Sequence, residues 1–292
     1  MYQKFQEELI QALEDKVENS VVSIQHIKKN NGITRMGLTM FVQNENAVPT
    51  IYLEEYYEEY TKGKSIDQIS DEICDTYNQY RLREQIDLSF LDLYDSVRNR
   101  IFLKAINREK NSELLNEVPY RTFMDLALVP YFYFEDSPFG TASALVKNDF
   151  LRIWNVSADQ VIDDAMTNMR ENFDYEFVPM SELLSRMIEQ KAFDEDGNEF
   201  MYVLAPKKWS FGAALMAVTD VMEKIAEQIQ SDFFVLPSSI HEIIVVPTDS
   251  DNQLSEMSEM VTEVNKTSVE DQDYLSDRAY YYKRGSGYSL LQ

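Results

Sequence analysis

Apolar residues recur at helical spacing at Phe5, Leu9, Leu13 and Val17, which predicts an amphipathic helix over 3–17. The period then changes. Two β-rich runs, "VVSIQHIKK" and "ITRMGLTMFV", flank "NNG", a hairpin signal because Asn and Gly tolerate the left-handed backbone of a tight turn. "YLEEYYEEY" returns to helical period, with Leu53, Tyr56, Tyr57 and Tyr60 on one face and Glu54, Glu55, Glu58 and Glu59 on the other. Ser65 and Gln68 have the spacing of a capping box and open a helix expected to reach about Arg83.

Beyond the irregular "EQIDLSFLDLYD", strands are predicted at 101–106, 126–134 and 141–146, the last two joined by the turn "EDSPFG". A second capping box, Ser157 and Gln160, starts a helix that turns Val161, Ile162, Ala165 and Met166 inward. "SELLSRMIEQ" reads as a shorter helix, and Asp196-Gly197 as a turn before a strand at 199–204. A strand near 210–216 leads into a helix carrying Val218, Val221, Met222, Ile225 and Ile229. "DFFVLP" and "IIVVP" read as two strands around Pro237-Ser238-Ser239. Leu254, Met257, Met260, Val261 and Val264 mark a last amphipathic helix, and "AYYYK" a final short strand. Hairpins mixed with helices predict an α+β fold with a mixed, mostly antiparallel sheet and several amphipathic helices.

Composition supplies the core that this pattern needs. The 292 residues are 44% hydrophobic and include 18 Tyr and 16 Phe, too aromatic for a disordered chain. The apolar runs "LALVPYFYF" and "FGAALMAV" fall well short of the ~18 residues that span a bilayer. The first residues carry acid where a signal peptide carries base, so a soluble cytoplasmic protein is expected. Cys74 is the single cysteine, so no internal disulfide can form, and its place beside Ile73 on a helical apolar stripe reads as a small core residue.

Charge narrows the partners. With 51 acidic and 27 basic residues the formal net charge is −24. Such a surface repels nucleic-acid backbones and anionic membranes, so neither is an expected partner; a basic protein is the one that charge would favour.

Few motifs carry chemistry. Two histidines, His26 and His241, with one cysteine do not make a zinc-finger or HExxH site, and no metal is expected. The chain has no GxGxxG, no phosphate-binding loop ending in Lys-Ser/Thr and no GxSxG elbow, so no cofactor is expected either. "DEDGNE" (194–199) resembles a calcium loop, but its glycine comes too early, and it reads as a hairpin turn. The carboxylate pairs Asp163/Asp164 and Asp92/Asp95 read as solvated helix faces.

Ser239, His241 and Glu242 are the one candidate catalytic group. If the second strand begins at His241, then His241 and Glu242 point to opposite sheet faces and the acid cannot orient the imidazole as a triad requires. No glycine lies nearby to shape an oxyanion site. The expected role of these groups is a hairpin turn that satisfies its own backbone. Glu54, Glu55, Glu58 and Glu59 are the candidate partner-binding group, since clustered acids steer a basic partner and tyrosine is enriched at interfaces.

Taken in order, "PTIYLEEYYEEYTKG", "INREKN", "VPYRTFMDLAL", "LRIWNVS", "FFVLPSSIHEIIVVP" and "LSDRAYYY" resemble an uncharacterised bacterial family of gut Firmicutes, domain of unknown function 5688. The resemblance runs from about residue 35 to 284, leaves the N-terminal helix outside, and implies a bacterial cytosolic protein with no activity, cofactor or site residue to carry over. The chain then reads as one family-wide unit, 1–292, with 1–90 as a candidate N-terminal α/β segment and 91–292 as a larger α+β segment. The function expected is that of a binding or regulatory module rather than an enzyme. The alternatives are a hydrolase using the Ser239/His241 region and an acidic, nucleic-acid-mimicking inhibitor of a nucleic-acid-binding protein.

Overall fold

A computed structural model describes residues 1–17, 20–42, 48–81, 87–137, 140–188, 201–208 and 210–289. The fold is α+β and divides into two compact units. One comprises 1–90 with 134–142, and the other 91–133 with 143–292.

The first unit starts with helix α1 (Tyr2–Lys16), which buries Phe5, Leu9 and Leu13 completely. Fully burying a side chain of this kind contributes about 1.5–3 kcal/mol. Strands β1 (Ser20–Lys28) and β2 (Thr34–Val42) pair antiparallel from Ser20↔Val42 to Lys28↔Thr34. The turn between them places Asn31 at φ 60 and Gly32 at φ 70, the left-handed region that "NNG" predicts. Strand β3 (Ile51–Tyr52) adds to β2 and leads directly into helix α2 (Glu54–Thr61). Helix α3 (Ile66–Tyr80) closes the unit by setting Ile69, Ile73 and Tyr77 against α1 and the sheet residues Leu38 and Met40. Cys74 packs half-buried against this core, and burial pushes its thiol pKa up, away from the reactive thiolate.

In the second unit, helix α4 (Tyr94–Val97) precedes strand β4 (Ile101–Asn107). Strand β6 (Leu126–Ser137), of which 126–133 belong to this unit, pairs antiparallel with both β4 and β5 (Arg121–Phe123); its partner β7 (Gly140–Leu145) belongs to this unit from 143 on. Helices α5 (Asn148–Trp154) and α6 (Ala158–Glu171) follow, and α6 lies on β4 with Val161, Ile162, Ala165 and Met169 buried. Met166, expected inward, is only half-buried. Strand β8 (Tyr175–Pro179) opens a six-stranded sheet and runs into helix α7 (Met180–Ile188). The sheet continues with β9 (Tyr202–Pro206), β10 (Asp232–Leu236), β11 (Ile243–Thr248), β12 (Tyr280–Lys283) and β13 (Gly287–Tyr288). Its spatial order is β13-β12-β10-β11-β9-β8. Helices α8 (Thr219–Ile229) and α9 (Leu254–Ser268) complete the unit.

The apolar run near 210–216 is not a strand. Gly212–Ala217 form a 3-10 helix with Gly212 through Met216 buried, in contact with β4, β9 and β11. A short segment apolar on every side has no period that separates helix from strand. Gly212 is required by close approach, since a Cβ there would lie 2.5 Å from Pro206 Cδ and 2.6 Å from the His241 carbonyl oxygen. The strand expected at 199–204 is β9, at 202–206, and the turn expected at Asp196-Gly197 lies outside the described residues.

A polar network binds the four-stranded sheet to the C-terminal chain of the same unit. Tyr280 OH donates to Asp125 Oδ1 at 2.6 Å and Ser276 Oγ to Asp125 Oδ2 at 2.9 Å. Buried Asn107 donates through Nδ2 to the Leu275 carbonyl at 3.0 Å and accepts from Lys110 N at 2.9 Å. Among the described residues no helix is long and apolar enough to cross a membrane.

The capping box at α3 is formed in full: Gln68 N donates to Ser65 Oγ and Ser65 N to Gln68 Oε1, each at 3.3 Å. Ser65→Ala is expected to lower the stability of the first unit by about 1 kcal/mol. Urea unfolding followed by circular dichroism checks this, and an unchanged midpoint would show that the cap carries no net stability.

Candidate functional site

The segment 232–248 is a hairpin. Strands β10 and β11 pair antiparallel from Asp232↔Thr248 to Leu236↔Ile244, and the connection holds Ser239, His241 and Glu242 ahead of the second strand. The connection is held by backbone bonds: Gly212 N donates to the His241 carbonyl at 2.7 Å, and Ile240 N to the Asp273 carbonyl at 2.9 Å. Leu275 N and Ser276 N donate to the Ser238 and Pro237 carbonyls at 3.0 and 3.1 Å.

Ser239 is 6% exposed, and its Oγ accepts from His241 N at 3.0 Å. The imidazole turns elsewhere: His241 Nε2 lies 3.3 Å from Asp273 Oδ1, and the ring stacks on Phe211 with centroids 5.7 Å apart. Phe211 holds a left-handed backbone at φ 74 and carries the Lys104 ammonium over its ring, 4.1 Å from the centroid. The structure therefore turns the Ser239 hydroxyl to the His241 backbone and the His241 imidazole to Asp273. Among the described residues it makes no Ser–imidazole hydrogen bond, the contact through which a base takes a serine proton. Asp273 is the residue that sequence spacing missed, because it reaches His241 from a segment more than thirty residues further along the chain.

The acidic face of α2 differs from its expected form. Its tyrosines pack half-buried against the core, with Leu53 fully buried, as the spacing predicts. Glu54, however, does not share a solvated face with the other three acids. It is half-buried, its Oε1 accepts from Met36 N at 2.6 Å, and its Oε2 is sealed from solvent with no hydrogen-bond partner. Glu59 pairs with Lys64 at 2.7 Å and Glu58 with Lys62 at 3.6 Å. Glu55 alone of the four is both exposed and without an ion pair among the described residues. Of the other carboxylate pairs, Asp163 meets Arg121 at 2.8 Å and Asp164 accepts from the Tyr94 hydroxyl at 2.7 Å, both distant in sequence, while Asp95 lies 3.8 Å from Arg98.

A cleft of about 610 Å³ opens in the first unit. Strand β3 and the preceding loop supply Thr50 and Tyr52, and β2 supplies Arg35. The start of α2 supplies Glu54 and Glu55, and the end of α3 supplies Gln79, Tyr80 and Arg81. Gly37 lets the loop sit close: a Cβ at that position would lie 2.6 Å from Thr50 Cγ2 and from Ile27 Cγ1. No local sequence signal marks this cleft, because its walls come from three separated stretches. Among the described residues no group of three or more His, Cys, Asp or Glu could hold a metal ion.

Two outcomes follow for the hairpin. His241→Ala removes one polar contact and one ring contact and is expected to lower stability by about 1 kcal/mol in urea unfolding. Burial pushes the Glu242 carboxyl above its ordinary 4.5, partly offset by His241 and the Ser239 hydroxyl. With the folded value raised, the unfolded chain loses its proton first as pH rises, so this group lowers stability from about pH 4.5 upward. Glu242→Gln should therefore gain on the wild type as pH rises from about 4.5; a difference independent of pH would contradict burial as the cause.

No curated protein and no solved structure matches this chain. A family model matches residues 2–284, taking in helix α1, which the quoted segments leave out. Nearly the whole chain is thus covered, and it belongs to the family of unknown function DUF5688.

Proposed function

We propose that this chain is a binding or regulatory module and that its ligand enters the cleft of the first unit. The observation that carries this reading is the cleft itself. Its volume of about 610 Å³ falls within the ~300–1,000 Å³ typical of small-ligand sites. Its lining combines aromatic rings with charges of both signs, the mixture that orients a ligand. The hairpin groups give less support to a hydrolase, because a buried serine and an imidazole turned to Asp273 do not form a nucleophile–base pair. A net charge of −24 argues against direct nucleic-acid binding. A reducing cytoplasm suits the single, half-buried cysteine.

The test is a broad metabolite library screened by thermal melting and native mass spectrometry, against wild type and Gln79→Trp. Gln79 is an exposed lining position, so the indole fills the cleft without entering the core. Capture of an unmodified compound by wild type and its loss in the variant are expected. No capture, or equal capture by both proteins, would remove the cleft as the binding site.

A further inference from the structure

Bases are scarce in this chain, 27 against 51 acids, and the structure shares them. Lys16 meets both Asp67 and Asp71, and Lys64 meets Glu59 and Glu72. Arg121 faces Asp159 and Asp163, and Arg186 binds Glu176 and Glu182. Arg35 is different. It is half-buried in the wall of the cleft and makes no ion pair or side-chain hydrogen bond among the described residues; its guanidinium carbon lies 5.6 Å from the centroid of the Tyr52 ring, which the Lys29 ammonium also covers at 4.5 Å. Its hydrogen-bonding fork is left without an acceptor, although two carboxylates line the same cleft.

Those carboxylates are unspent as well. Glu55 is exposed with no ion pair among the described residues. Glu54 is pinned by Met36 N through one oxygen, while the other has no donor. Its charge is thus only partly compensated: together with burial, which is the larger effect, it raises the pKa of the Tyr2 hydroxyl. Arg35 and the two acids do not pair, because Arg35 rests on Tyr52 and Glu54 is fixed to the β2 backbone. Opposite charges kept apart at the walls of one cleft lose their mutual attraction and recover it when a ligand bridges them.

We propose that the cleft binds a small zwitterion of amino-acid or short-peptide size, its carboxylate on the Arg35 fork and its ammonium beside Glu55 in the field of Glu54. A planar fork takes a carboxylate through two parallel bonds, and a compact ammonium suits an exposed glutamate. The volume leaves room for a di- or tripeptide, with Tyr80, 59% exposed, free to cover a side chain. A simple anion fits less well, because it would leave the exposed Glu55 in the same lining without a partner.

This inference rests on the cleft being the binding site. It is tested by calorimetric titration of the full chain with free amino acids, dipeptides and tripeptides, each also as the N-acetyl and C-amide forms. The unblocked compounds should bind, and blocking either end should weaken binding about 10-fold or more, the loss of one charged hydrogen bond. The separation between amino acids and peptides shows which size the cleft takes. Arg35→Met keeps the stem on Tyr52 and should bind free and amidated peptides alike. Glu55→Gln, at an exposed position, should bind free and acetylated peptides alike. A merely structural role would not move these preferences. The proposal is overturned if no compound binds at millimolar concentration, if blocked and free forms bind equally to wild type, or if both variants keep the wild-type preferences. Capture of another chemical class in the metabolite screen, lost in Gln79→Trp, would leave the binding module standing without the zwitterion; no capture of any kind would remove both.

Discussion

Asp125 holds the second unit closed. It sits in the turn from β5 to β6, half-buried, and spends both carboxylate oxygens on hydroxyls from the far end of the sequence. Ser276 passes the contact on, since its Oγ also accepts from Arg278 N at 3.0 Å. Tyr280 remains a donor because burial, with the adjacent carboxylate, raises its pKa far above neutrality. With Asn107 on the Leu275 carbonyl, these bonds lay residues 273–276 along the four-stranded sheet. The other edge of that segment then receives the hairpin connection through the Pro237, Ser238 and Ile240 backbone bonds. A turn with two serines and a histidine is thereby fixed by long-range bonding instead of by its own composition. Removing one partner would leave the others buried and unmatched, which costs more than a single hydrogen bond.

Elements with a period of their own were legible in the sequence. Helix α1 shows Phe5, Leu9 and Leu13 at strict spacing, both capping serines start their helices, and "NNG" marks the first hairpin. What was not legible came from tertiary placement. "FGAALMAV" is buried on all sides and folds as a 3-10 helix where strand was expected, and "YEFVP" becomes a strand because β9 offers an edge to pair with. The candidate site shows the same division. A hairpin at Pro237-Ser238-Ser239 could be read locally, but the pairing of His241 with Asp273 could not. Glu54 looked solvated because helical spacing places it beside Glu58, whereas the Met36 amide draws it inward.

The acidity of the chain has a structural counterpart in how its few cations are placed. Lys16 joins the end of α1 to the start of α3, and Lys64 joins α2 to α3, each through two carboxylates. Single exposed pairs contribute little, but one cation between two acids also relieves the repulsion between them. Salt screens the repulsion among the excess acids but also weakens these bridges, so it should tighten the helix layer of the first unit less than the excess of acid suggests.

The distribution of indole rings has a practical consequence. Trp154, the described tryptophan, packs among Phe132, Phe150 and Tyr94 and donates through Nε1 to the Leu91 carbonyl at 2.7 Å. The sequence has no tryptophan within 1–90 or 134–142, so the first unit contains tyrosine but no tryptophan. Intrinsic emission excited at the red edge of the absorption band consequently reports on one unit alone. A melt recorded that way would pass over the opening of α1, α2 and α3 in silence.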